Sequence, residues 1–242
     1  MDMPITVELA DFKSAGELVE KVYAYFNWVD QTFSTFKQTS EISKINHGLL
    51  DLNQASPEMK EIFKLAEITK QETHGYFNIK NPLGIFDPSG LVKGWAIYQA
   101  SLLLKKEGVT DFYIDAGGDV QVFGQNFTRE PWSVGIRNPF NRLEIVKVVY
   151  LKNNEGVATS GTYIRGDHIY NPHDFGEKPG QIVSLSVIGP NVYEADRMAT
   201  AAFAMDSKGI EFIGELKGFA GYQIAKNGQA VFTDNFKQYT LK

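Results

Sequence analysis

The chain has no cysteine in its 242 residues. Disulfides, thiolate metal centres and a cysteine nucleophile are excluded with it. Histidine is scarce: there are four, and no two have the spacing of a zincin helix, so a histidine-built metal site is not expected. No apolar run approaches the roughly 20 residues that span a bilayer. The opening MDMPITVELADF lacks a basic stretch followed by an apolar one. No signal peptide is expected from it, and the sequence reads as cytoplasmic. Positive charge is short as well. Lys and Arg number 24 against 29 Asp and Glu, for a net charge of -5, which argues against a nucleic-acid partner. There is no internal repeat, low-complexity stretch or obvious linker.

What is present is apolar material. Hydrophobic residues make up 43% and aromatics 13%, enough for a sizeable core. Leu18, Val19, Val22, Phe26, Val29 and Phe33 recur at spacings of three and four, so a helix is expected over 14–33. Ser56-Pro57 is a cap and first-turn pair for a helix to about Thr73, stopped near Gly75. A third helix is expected from about Leu91 to Lys106, with Gly108 beyond it. Further helices are expected over 194–205 and 209–216. Strands are expected at 4–9, 112–116, 120–123, 132–136, 145–151 and 183–188. A closing hairpin is expected around Asn227-Gly228. Helices and antiparallel strands mix without regular βαβ alternation. The fold class is therefore α+β, one unit over 1–242.

Four stretches cluster small and polar residues. "DPSGLVKGWAIYQASLLL" (87–104) puts Lys93 between Gly90 and Gly94 at a helix start. Unpaired N–H groups, the dipole and a lysine suit a phosphate or pyrophosphate. The alternative is packing glycines with Lys93 in solvent. "DAGGDVQVFG" (115–124) sets Gly117-Gly118 between Asp115 and Asp119, either a plain glycine hairpin or a backbone that a ligand can approach. "ATSGTYIRGDHIYNPH" (158–173) offers Thr159, Ser160 and Gly161 as small donors. Ser160 with His168 has the residue types of a hydrolase, but the G-x-S-x-G elbow is missing. In "EADRMATAAFAM" (194–205), Asp196 and Thr200 share a helix face as hard oxygen ligands suited to Mg²⁺. The bland reading is a dipole-favoured Asp and a back-bonded Thr. As a helix-surface carboxylate, Asp196 is expected to be replaceable without loss of the fold.

These stretches, together with "FSTFKQTSEISKIN" (33–46) and in this order, resemble the FAD:protein FMN transferase (ApbE-like) family over roughly 32–206. The resemblance implies a Mg²⁺-dependent enzyme that cleaves the FAD pyrophosphate. FMN would pass through a phosphoester to a threonine of a target flavoprotein, and AMP would leave. The acceptor is expected to carry a Ser/Thr-Gly-Ala-Thr/Ser-like motif. By position, Asp196 and Thr200 would hold Mg²⁺ with a backbone carbonyl near Val92, and Lys93 would sit by the phosphates. Gly90 to Gly94 and Thr159-Ser160-Gly161 would wrap the diphosphate, and Gly117, Gly118 and Asp119 would line the nucleotide pocket. Phe36 would stack on the isoalloxazine, with Ser40 a further cofactor contact. His168 and Asp196 are the candidate general bases. The chain departs from the family pattern at Ser89, at Asn171 and at His173-Asp174-Phe175, where Arg-Thr-Gly is usual. An FAD-binding protein or FAD pyrophosphatase without a protein acceptor fits the same residues, and an interaction domain with packing glycines is the third reading.

Overall fold

The structure is a computed structural model and describes residues 3–11, 16–81, 83–141, 143–162, 169–174 and 179–240. Its first strand, β1 (Ile5–Leu9), leads into helix α1 (Gly16–Phe33), which buries Leu18, Val22, Phe26, Val29 and Phe33 along the stripe that their spacing implies. A short helix, α2 (Glu41–Asn46), follows, capped by the Ser40 side chain. Helix α3 (Pro57–Glu72) starts at the Ser56 cap with Pro57 in its first turn, as the sequence implies. It gives way to His74 and Gly75, both with positive φ. Helix α4 (Ser89–Lys106) then crosses the middle of the fold.

The remaining elements build the sheet. They are β2 (Phe112–Ala116), β3 (Asp119–Phe123), β4 (Trp132–Arg137), β5 (Ile145–Leu151), β6 (Gly156–Gly161), β7 (Ile182–Gly189), helix α5 (Val192–Ala204), helix α6 (Gly209–Glu215), β8 (Ala220–Ala225) and β9 (Ala230–Phe232). Seven strands pair in the order β1-β2-β3-β6-β7-β8-β9, every neighbouring pair antiparallel, and β4–β5 forms a separate ribbon. The fold is α+β, as expected.

Both faces of the sheet are covered, so its central strands are buried almost throughout even though they carry Gln121, Ser160, Ser184 and Ser186. Successive side chains point to opposite faces. Val157 and its partner Ile188 pack with Trp132, Val149 and Leu151 of the ribbon, whereas Ala158 and Val187 pack with Ala195 and Ala199 of α5. Helix α4 lies between α1 and α5 and over β2 and β3. Most of its surface is covered: Leu91, Val92, Trp95, Ala96, Ile97, Ala100 and Leu104 are all buried, and Leu102 and Lys106 face solvent. Each fully buried Leu or Ile is worth about 1.5–3 kcal/mol.

Sequence boundaries shift by a turn at most. Helix α5 begins at Val192 because the Asn191 side chain accepts from Glu194 N–H at 2.9 Å. The start expected at Ser14 falls partly outside the described residues.

Candidate functional site

The α4–α5 crossing makes the floor of the site. Gly90 and Gly94 lie one helical turn apart on α4, and Asp196 and Thr200 one turn apart on α5. A Cβ on Gly94 would stand 2.6 Å from Asp196 Cβ and 2.8 Å from the Val192 carbonyl oxygen. One on Gly90 would stand 3.0 Å from Thr200 Cγ2. Only glycine lets the two backbones approach so closely. These glycines serve tight packing, and the packing presents polar groups.

Those groups interlock. Gly94 N–H donates to Asp196 Oδ2 at 2.7 Å, and Thr200 Oγ1 donates to the Gly90 carbonyl at 3.3 Å. Lys93 does not point into solvent. Its ammonium lies 2.5 Å from Asp119 Oδ2 and 3.6 Å from Asp196 Oδ1. Both carboxylates are nearly inaccessible, at 1% and 3% exposure. Asp196 is thus a correction to the sequence reading, because α4 covers the helix face expected to be surface. Burial pushes its carboxyl up to about 7; Lys93 pulls the other way, and Asp119 adds to the rise.

The walls come from strand ends and loops. Gly117 and Gly118, at φ 65° and 94°, close the β2–β3 hairpin, a two-residue turn that needs positive φ at both positions. Asp119, the next residue, accepts the Thr159 N–H at 3.1 Å, which fixes the end of β6 beside β3. A cavity of about 230 Å³ opens above the floor. Gly90, Lys93, Gly117, Thr159, Ser160, Gly161, Asp196 and Thr200 all line it. Asp119 supports Lys93 from beneath, and Gly118 occupies the neighbouring turn position.

Phe36, Ser40 and Val92 lie off this lining. Phe36 is 96% exposed and off the lining. Ser40 is fully buried and caps α2, its Oγ accepting Ser43 N–H at 3.1 Å. That bond, and not a ligand, accounts for Ser40. The side chain of Val92 is buried in the core, and the carbonyl that Thr200 faces belongs to Gly90. His168 lies outside the described residues.

The sequence reading missed the aromatic side of the cavity. Tyr76, Phe77, Asn78 and Ile79 form one part, and Ile169, Tyr170 and Pro172 another. A hint was available in the Asn/Pro/Gly-rich run at 78–89, directly before the α4 turn. The "FSTFKQTSEISKIN" block proves to be a brace for that run. Asn46 receives Phe86 N–H at 2.8 Å and donates to the Phe86 carbonyl at 2.9 Å, while Glu41 accepts from Ser56 N–H and its hydroxyl.

The donor set can be compared with what a metal ion needs. Among the described residues no group of three or more His, Asp or Glu side chains is placed to hold a metal. What the floor offers is sparse hard oxygen: Asp196 Oδ1, Thr200 Oγ1 and the Gly90 carbonyl. Mg²⁺ takes few protein ligands and shares the others with phosphates. With both carboxylates ionised, Lys93, Asp119 and Asp196 sum to one net negative charge. Burial is the main cause of the raised Asp196 carboxyl and the neighbouring Asp119 adds to it; a divalent cation at the floor would oppose both.

An antiparallel sheet and two crossed helices thus present a lysine and hard oxygens to one cavity. The chain belongs to the ApbE family, whose model matches residues 1–83 and 80–222. The FAD:protein FMN transferase of Escherichia coli (strain K12) is 28% identical over 161 residues, covering 63% of this chain and 44% of that protein. That of Rhodobacter capsulatus is 37% identical over 129 residues, 50% of this chain and 24% of that protein. The matched stretch thus spans less than half the length of these relatives. The structure of the ApbE protein from Thermotoga maritima superposes with a TM-score of 0.85 at 20% identity, over 99% of this chain and 96% of that one. The flavin transferase ApbE from Vibrio cholerae gives 0.84 at 18% identity, with the same coverage. These two likenesses concern the fold. No helix among the described residues is long and apolar enough to cross a membrane.

Proposed function

We propose that this protein is a Mg²⁺-dependent FAD:protein FMN transferase. It binds FAD, cleaves the pyrophosphate, attaches FMN through a phosphoester to a threonine of an acceptor flavoprotein and releases AMP. The observation that carries the reading is the Lys93–Asp119–Asp196 trio, its two carboxylates buried and its lysine half-buried, beside an oxygen-lined cavity. The curated relatives named above support it.

Phosphoryl transfer needs positioning and charge neutralisation more than covalent help. Lys93, fixed by Asp119, presents its ammonium to the diphosphate. Gly117 and the Thr159–Gly161 strand end leave room for its oxygens. Tyr76, Phe77 and Tyr170 offer flat apolar surface to a ring. Asp196, Thr200 and the Gly90 carbonyl would hold Mg²⁺, which when bound supplies Lewis-acid stabilisation of the diphosphate charge. Committed to the ion, Asp196 is not free as a base. His168 remains the candidate that takes the threonine proton.

The test is incubation with FAD, Mg²⁺ and an acceptor carrying a Ser/Thr-Gly-Ala-Thr/Ser-like motif. The expected result is AMP release together with a fluorescent flavin band on the acceptor. AMP release without the band would identify an FAD pyrophosphatase. Binding of FAD with no AMP released would identify a flavin-binding protein.

A further inference from the structure

The cavity's aromatic side is built from two chain segments far apart in sequence, and one side chain joins them. His173 Nε2 lies 2.9 Å from the His74 carbonyl oxygen. The ring also meets Tyr76 edge-on, with centroids 4.6 Å apart at 70°. Tyr76 lines the cavity, and so does Pro172, the residue before the histidine. The receiving surface is shaped for this contact. His74 adopts a left-handed conformation at φ 52°, and Gly75 follows at φ 84°. A non-glycine residue is rarely held there, and such strain persists where the surroundings enforce it. A Cβ on Gly75 would stand 3.1 Å from His173 Cε1, tighter than an ordinary contact. The histidine's own segment is organised locally: His173 N–H donates to Asn171 Oδ1 at 3.0 Å and Asp174 N–H to the Asn171 carbonyl at 3.2 Å. His173 is also where the sequence departs from the family pattern described above.

We propose that His173 is a positioning residue that latches the Ile169–Pro172 wall onto the Tyr76–Ile79 wall, and so sets the affinity of the cavity for the ring portion of its ligand. The identity of that ligand as FAD rests on the function proposed above. The latch itself does not. His173 touches neither Lys93 nor Asp196, so it acts on binding and leaves the bond-breaking step to the floor.

The test compares His173→Ala with His173→Gln, whose amide can still donate to the His74 carbonyl. The first arm follows hydrogen exchange of the Tyr76, Phe77, residue-173 and Asp174 amides in the ligand-free protein. The second follows FAD affinity by flavin fluorescence and the kcat and KM of FAD cleavage. In the alanine variant these amides are expected to exchange faster. The dissociation constant and KM should rise about fivefold, the worth of one hydrogen bond and a ring contact, with kcat within about twofold. Glutamine should restore most of both. Unchanged exchange and affinity in the alanine variant would overturn the proposal. So would a fall in kcat at constant KM, or a glutamine variant no better than alanine. If the wild type itself binds no flavin, the functional reading fails, and the exchange arm decides the latch alone.

Discussion

The floor and the rim of the cavity are held in opposite ways. The floor is a helix–helix interface in which four positions, each pair one turn apart, mesh through missing side-chain atoms. The rim is made of loops and strand ends joined by single hydrogen bonds such as His173 to His74. A floor of that kind tolerates no added atom, because interiors are close-packed and the neighbours are backbone or nearly so. A rim of that kind can lose a contact and keep its fold. Rigid elements thus carry the charged groups, and adjustable segments carry the cavity's aromatic surface.

The sharpest way to break this contrast is Gly94→Ala. The new methyl would lie 2.6 Å from Asp196 Cβ and 2.8 Å from the Val192 carbonyl. Overpacking between two helices is expected to cost about 3 kcal/mol. For a chain of this size that is ~6–12 °C in melting temperature, and FAD cleavage should go with it. Gly16→Ala is the control, since its Cβ would meet nothing within 4 Å. Equal melting of the two variants and the wild type would mean that the helices do not meet as closely as described.

Asp196→Asn comes next. The amide keeps the shape and still accepts the Gly94 N–H, so the fold should survive. FAD cleavage should fall by about a hundredfold or more, as expected when a group aimed at the reacting charge is removed. Stability adds a second readout. Burial raises the Asp196 pKa in the folded protein. Between the ordinary carboxylate value of about 4 and the raised one, the folded state holds a proton that the unfolded chain has lost. Stability from this group is therefore lost as pH rises through that window, up to about 7. In metal-free buffer, denaturation at pH 5 and pH 8 should show a drop in the wild type that the asparagine variant lacks. An equal drop in both would place Asp196 in a wetter setting than the structure gives it.

Lys93→Met tests the same trio from its positive side. Charge-assisted contacts to phosphate are the strong kind. FAD should bind about tenfold or more weakly, and riboflavin, which has no phosphate, should be little affected. Equal losses for both ligands would remove Lys93 from the diphosphate.

The floor was legible in the sequence because helical period is local information. Glycine, lysine and glycine within one turn, and an aspartate four before a threonine, announce which groups share a face. That α4 would lie on that very face, and so bury Asp196, depended on a contact spanning 102 residues, Gly94 N–H to Asp196, which no window of sequence contains. The rim was missed for a related reason. Tyr76 and Tyr170 meet the same cavity only after α3 ends in a left-handed turn, and an aromatic residue beside a turn reads equally well as core. Phe36 is a different case: it is 96% exposed and off the cavity lining, because α1 has ended before it.

The smallest effect concerns the brace between these regions. Asn46 ties the Phe86 backbone with two hydrogen bonds, at 2.8 and 2.9 Å, one residue before cavity-lining Asp87 and three before α4 begins. It touches no ligand group, so it acts only by placing the segment that enters the floor. Asn46→Ala would leave a half-buried N–H and carbonyl to water. A loss of about 1–2 kcal/mol is expected, the range for one or two unmade hydrogen bonds. FAD should bind no more than about threefold more weakly, because α4 is held independently by its packing against α5. Unfolding curves and flavin titrations on the same preparation separate the two effects. If affinity falls by much more than stability, the entry turn shapes the ligand site directly, and the division between a rigid floor and an adjustable rim must be moved to include it.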